Sequence, residues 1–250
     1  VRKAQLRLVL EEITGVQKHM WLQGIGPVIQ RGKKDAMLTA QAATEAIESV
    51  LYASLPDAVA KVVRDGLNAT ARAGIERDAA RIPRELSPRV YTDLGLTSGE
   101  VERIIRSGIV SGLSAQELAA DVYRYISPTT PGGASYASMR LARTEINNSF
   151  HEQQKAGATR PGVKAAKWNL SGSHKRPDKC NLYASQNVND LGAGLYKAGN
   201  IPDKPHPQCL CFLTYETMSS AEFARALKAG DFDDDLDARI RANLRRLGRG

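Results

Sequence analysis

Residues 164–170 read KAAKWNL and residues 209–215 read CLCFLTY, and the 38 residues between them are rich in Gly, Pro, Asn, Asp and Ser. In the first stretch Ala166 and Trp168 alternate with charged and polar neighbours, the period-two pattern of a half-buried strand. The second reads as another strand. A polar stretch as long as 171–208 is unusual for an unsupported loop in a compact domain, so something is expected to tie it down. Most of the remaining chain follows a helical period. The expected fold class is therefore α+β, mostly α, with few short strands and a long polar loop.

Working upstream, Leu55, Val59, Val62, Val63 and Leu67 fall at the spacings of one helix face. Val101, Ile104, Ile105 and Ile109 repeat the pattern, as do Ala115, Leu118, Ala119, Val122 and Ile126. Residues 36–53 are alanine-rich, with Ile47, Val50 and Leu51 as the expected apolar seam. Thr97 with Glu100, and Ser114 with Glu117, form capping boxes. Residues 135–157 predict a helix with Met139, Ala142, Ile146 and Phe150 on one face.

Downstream, residues 221–229 predict a short helix, and Leu236, Ile240, Leu244 and Leu247 mark another. The second has an acidic start and a basic end, matching the helix macrodipole, and is expected to dock on a neighbouring molecule. The stretch SPTTPGG at 127–133 is a break in the pattern. The expected organisation is a helical N-terminal assembly region (1–126), a linker (127–134), a small α+β domain (135–217) and a helical tail (218–250).

Composition bounds the class. The 250 residues are 42% hydrophobic and 25% charged, ordinary for a globular chain. No stretch approaches the roughly 18 apolar residues of a membrane helix, and no signal peptide is legible at the N-terminus. Three cysteines are too few, and odd in number, for a secreted disulfide scaffold. The chain opens on Val1, as a fragment, a processed product or a literally translated start codon would. The net charge is +8, and residues 139–211 carry most of it, with 11 basic and 5 acidic residues. Such a segment suits either a polyanionic partner or a solvated face. Lys164, Lys167, Lys175, Arg176 and Lys179 are the candidate nucleic-acid contacts.

All three cysteines and two of the four histidines lie between residues 174 and 211: His174, Cys180, His206, Cys209 and Cys211. On a strand Cys209 and Cys211 would point to one side. With His206 three residues earlier, they could close on one metal, and His174 and Cys180 would complete the set across the loop. Four of the five would satisfy a structural zinc, whose binding would offset the entropy of ordering the loop. The alternative is buried thiols plus a turn histidine. Thiolate-rich sets are structural rather than catalytic. Other catalytic templates are absent: no Walker loop, dinucleotide fingerprint or serine elbow. Arg143 and Asn147, four apart, share a helix face on which they could clamp loop carbonyls or contact a ligand.

Taken together, Ala142-Arg143-Thr144-Glu145 with Asn147 and Asn148, then Lys167-Trp168, then 173–180 (SHKRPDKC) and finally 205–211 (PHPQCLC), resemble the phage Mu F-like minor head protein family. The resemblance covers about residues 135–217. Leu210 stands where family members commonly carry Arg, and Cys180 stands alone where some carry a pair, which gives His174 more weight. The resemblance implies a non-enzymatic structural component of a tailed-phage head. Its expected partners are the portal and major capsid proteins, with packaged double-stranded DNA as a further one and no membrane. Its expected place is the virion head, and the host cytoplasm during assembly. Arg143, Glu145, Asn147, Trp168 and Asp178 are its structural motif residues. The alternative is a metal-dependent nuclease or toxin-like enzyme built on His174, Asp178, His206 and the cysteines. A cellular zinc scaffold is a third reading.

Overall fold

The computed structural model describes residues 26–81, scattered positions between 99 and 124, and residues 134–188 and 190–247. The helical patterns expected at 101–109 and 115–126 lie outside these residues apart from isolated positions. So do the break at 127–133 and the Thr97 and Ser114 caps. The described elements are α1 (Gly26–Leu51), α2 (Asp57–Arg81), α3 (Ala134–Ala158), β1 (Val163–Asn169), α4 (Lys179–Ser185), β2 (Leu195–Tyr196), β3 (Phe212–Thr217), α5 (Ser220–Ala229) and α6 (Ala238–Arg246). The fold is α+β and mostly α. The chain divides into two compact units, Val1–Gly32 with Ala79–Ile146, and Lys33–Asp78 with Asn147–Gly250. Residues 33–78 and the C-terminal helices thus share a unit with the sheet.

In the first unit, α1 and α3 approach closely: a Cβ on Gly32 would lie 2.5 Å from Ile146 Cδ1. The second unit has two cores. One is formed by Leu51 and Tyr52 at the end of α1, Val63 and Leu67 on α2, Phe223 and Leu227 on α5, Phe232 and Leu236 in the connection, and Ile240 and Leu244 on α6. The α2 face is the one its spacing predicts. Tyr52, Phe223 and Phe232 stack in sequence, at centroid distances of 5.0 and 5.1 Å. The apolar face of α6 is thus covered by its own chain, which corrects the expectation of a docking helix. Leu247 at its end is exposed.

The other core lies under a three-stranded antiparallel sheet of order β2–β1–β3. Ala166 and Trp168 point into it as their alternation predicts, beside Cys180, Tyr196, Ile201, Cys209, Cys211 and Leu213. The second strand begins at Phe212, not at Cys209. The Lys204 ammonium holds the Cys209 and Cys211 carbonyls in place of a strand neighbour. Both thiols are nevertheless buried while Leu210 is 54% exposed, so the two-residue alternation survives.

The helices cover these cores with more polar residues than the apolar seams predict. Val50 on α1 is 72% exposed, and Gln41, Thr44 and Glu48 are buried instead. On α3 the buried positions include Thr144, His151 and Gln154, whereas Ile146 and Phe150 are half-buried. For Gln154 the reason is the unpaired edge of β3. The Gln154 carboxamide accepts from Leu213 N and donates to Leu213 O, taking the place of a fourth strand. Tyr215 donates its hydroxyl to the Gln154 carbonyl.

The polar stretch is not structureless. Asp178 caps α4, and Asn181 returns the bond to the cap backbone in a capping box. Gly194 brings β2 against α4 with φ +70; a Cβ there would lie 2.6 Å from the Ala184 carbonyl oxygen.

Candidate metal centre

Each of the five candidate ligands is placed by a local device. His174 sits on the turn after β1, closed by its amide on the Ser171 carbonyl. Cys180 lies in the first turn of α4, fixed by the Asp178 cap and fully buried. His206 opens a turn in which Gln208 takes φ +58. Cys209 and Cys211 follow on the run into β3. All three cysteines are free thiols.

The donors converge. Cys180 Sγ lies 3.4 Å from His206 Nε2 and 3.5 Å from Cys209 Sγ. Two sets share Cys180: His174 with Cys180 and Cys211, and Cys180 with His206 and Cys209. Within each set the donor atoms lie within 4.8 Å of one another. Four donors at about 2.0–2.3 Å from a tetrahedral ion sit roughly 3.3–3.8 Å apart, so the two measured distances match the edges of such a site. The cluster could hold a metal ion.

The histidines are prepared for this. His206 Nδ1 lies 2.9 Å from the Pro207 carbonyl and so carries its proton there, which leaves Nε2 bare on the cluster side. Asp178 Oδ2 is 3.1 Å from that same Nε2. A lone pair facing a carboxylate oxygen is unfavourable unless a proton or a metal ion lies between them. Asn181 Oδ1 accepts from the Asp178 amide at 2.9 Å, so His174 Nε2, 2.8 Å away, is its second donor and His174 Nδ1 is bare.

The electrostatics have the same logic. Burial pushes the Cys180 thiol well above its ordinary range, and the adjoining Cys209 and Cys211 thiols add to the shift. Burial raises Cys209 as well. Cys180 and Cys209, buried in an apolar core, resist ionising unless a cation is supplied. Against desolvation, which would raise it, the hydrogen bond from the Cys180 amide holds the Asp178 carboxyl low, and positive charge at His206 or His174 would act in the same direction. Burial lowers Lys204, and negative charge on Cys209, Cys211 and Cys180 opposes that shift.

The other expected residues are more dispersed. Trp168 is buried, edge-on to Tyr183 and His151. Lys164 pairs with Glu222 at 3.4 Å, and Lys167 is exposed on the outer face of the sheet. Lys175, Arg176 and Lys179 are exposed between His174 and Cys180. Arg143 is exposed, and Glu145 and Asn147 are half-buried. The grip of α3 on the polar segment comes instead from His151 on the Pro202 carbonyl, Gln154 on Leu213 and Lys155 on Asp203. Sequence reasoning missed Lys204, Asn181, His151 and Gln154. Only Asn181 left a signal, three residues after Asp178 as a capping box requires.

Comparison with protein-family models, curated proteins and solved structures finds no match to the chain. Among the described residues no helix is long and apolar enough to cross a membrane.

Proposed function

We propose that the chain is a structural minor head protein of a tailed bacteriophage. In this reading it associates with the portal and the major capsid protein and aids head assembly and DNA packaging or delivery. A structural zinc held by four of His174, Cys180, His206, Cys209 and Cys211 staples its α+β part. The motif order around residues 142–211 supports the phage assignment. The observation that carries the staple is the buried convergence of Cys180, His206 and Cys209 at 3.4–3.5 Å. Four such ligands form a closed structural set that leaves no position for a reacting water.

Two experiments test this. Elemental analysis of the purified chain should find about one zinc, and co-expression with a portal ring should yield a co-purifying complex. Absence of metal removes the staple; a portal ring that emerges without the chain removes the phage assignment.

One observation favours the hydrolytic alternative. Asp178 and His206 both lie at the partly exposed rim of the cluster, where a carboxylate could serve a metal-held water. Zinc-loaded protein that leaves plasmid DNA and RNA intact would dismiss it.

A further inference from the structure

We infer that the loop 175–179 binds the phosphate backbone of double-stranded DNA, and that it does so only while the metal holds both its ends. The inference rests on the metal reading above and names a partner for the surface beside that site.

The loop is bounded on one side by His174 and on the other by Cys180, both candidate ligands. All five residues between them are exposed. Lys175, Arg176 and Lys179 make no ion pair among the described residues. Other cations of this unit do: Lys61 with Asp65, Lys155 with Asp203 and Lys164 with Glu222. The loop's one acid, Asp178, is exposed as well but engaged at the cluster: its Oδ1 accepts from the Cys180 amide and its Oδ2 lies 3.1 Å from His206 Nε2. Three exposed cations are therefore left without an ion pair among the described residues.

The chemistry of the loop favours nucleic acid over protein. Pro177 is its one apolar side chain, whereas a protein interface would need apolar or aromatic anchors. Lysine and arginine on a held backbone suit phosphate contacts, which set affinity without reading sequence. Stitching both ends to one ion orders the loop in advance, so binding does not have to order it. Without the ion, two thiols and two imidazoles release the loop, and the same three charges become a mobile tether.

The test uses the full chain with a labelled 30-base-pair duplex, followed by anisotropy across a salt series, with zinc measured in each sample. Zinc-loaded protein should bind, and chelator-stripped protein should bind at least about tenfold more weakly. The variant carrying Lys175→Ala, Arg176→Ala and Lys179→Ala should keep its zinc and its melting temperature. Its affinity should fall, and its log–log salt slope should flatten by up to about 2.7, the release expected for three phosphate contacts. Equal affinity in the triple variant, or equal affinity before and after stripping with zinc shown to be lost, overturns this inference alone. So does a polyglutamate peptide that displaces the duplex at equal charge concentration, which assigns the loop to an acidic protein. A purified chain with no zinc, even after zinc is offered, overturns the metal reading and the conditional binding with it.

Discussion

Lys204 shows how one residue can organise a site without belonging to it. Its ammonium donates to the carbonyls of Cys209 and Cys211, 3.0 Å from the former, so a single cation sets the spacing of two ligands. Lys204→Met should weaken zinc affinity roughly 10- to 100-fold, the scale of outer-shell losses, with Lys204→Arg recovering part of it; competition against a chromophoric chelator reads both. An unchanged affinity in Lys204→Met would make the lysine a bystander. His151 is the other residue whose state follows from where it sits. Burial lowers it to about 4 from the ordinary 6.5, with Nε2 on the Pro202 carbonyl and Nδ1 without a partner. The unfolded chain takes up this proton near pH 6.5 and the folded chain only near 4. The stability that the neutral ring permits is therefore present above 6.5 and lost as pH falls toward 4, by up to about 3 kcal/mol. Urea midpoints of wild type and His151→Gln between pH 7 and 4 should diverge accordingly. Protonation of the metal ligands acts in both proteins and cancels in the difference; parallel curves would refute the burial argument.

At the scale of elements, α6 and Gly194 make opposite points about what a sequence displays. The spacing of Leu236, Ile240 and Leu244 identifies an amphipathic helix but not what it faces. The structure places these side chains in a core with α2 and α5. Leu244→Ala should therefore cost about 2–5 kcal/mol in urea unfolding, the range for a buried leucine; a cost near zero would return α6 to the role of a free docking arm. Gly194, by contrast, is one of many glycines in a polar stretch, and nothing in the sequence singles it out. Its positive φ and the nearby Ala184 carbonyl make Gly194→Ala unfavourable by at least about 1–2 kcal/mol, measured the same way. What was legible was periodic: β1, α3 and the C-terminal helices appear within a few residues of expectation, and α2 carries the expected face but runs on to Arg81. What was not legible depended on partners distant in sequence. The buried face of α3 is partly polar because a strand edge and a loop carbonyl need hydrogen bonds, and period alone cannot show that demand; on α1, buried Gln41 instead bonds Asn68 on α2 and Gln153 on α3. Likewise the five candidate ligands were visible as residue types, whereas Lys204, which spaces two of them, was not.

Across the whole second unit the two cores differ in what secures them. The core of Tyr52, Phe223, Phe232, Leu236, Ile240 and Leu244 is aliphatic and aromatic, and needs nothing beyond burial. The core under the sheet is partly made of the candidate ligands themselves, since Cys180, Cys209 and Cys211 are among its buried residues. Removing the proposed metal would leave Cys180 and Cys209 there as protonated thiols. Neutral thiols still pack as small hydrophobes, so the sheet core should loosen rather than collapse. The segment that loses most is 171–211, whose ends would then be held only by the Asp178 cap, the Lys204 contacts and the grip of α3. Stability in such a molecule is local, and amide exchange can resolve it. After chelation, amides of residues 171–211 should exchange at least about tenfold faster, while those of α2, α5 and α6 keep their protection. Equal acceleration in both cores would mean that the metal secures the unit as one cooperative body. No acceleration in 171–211, with zinc shown to have left, would mean that packing and the Lys204 contacts alone hold the polar segment.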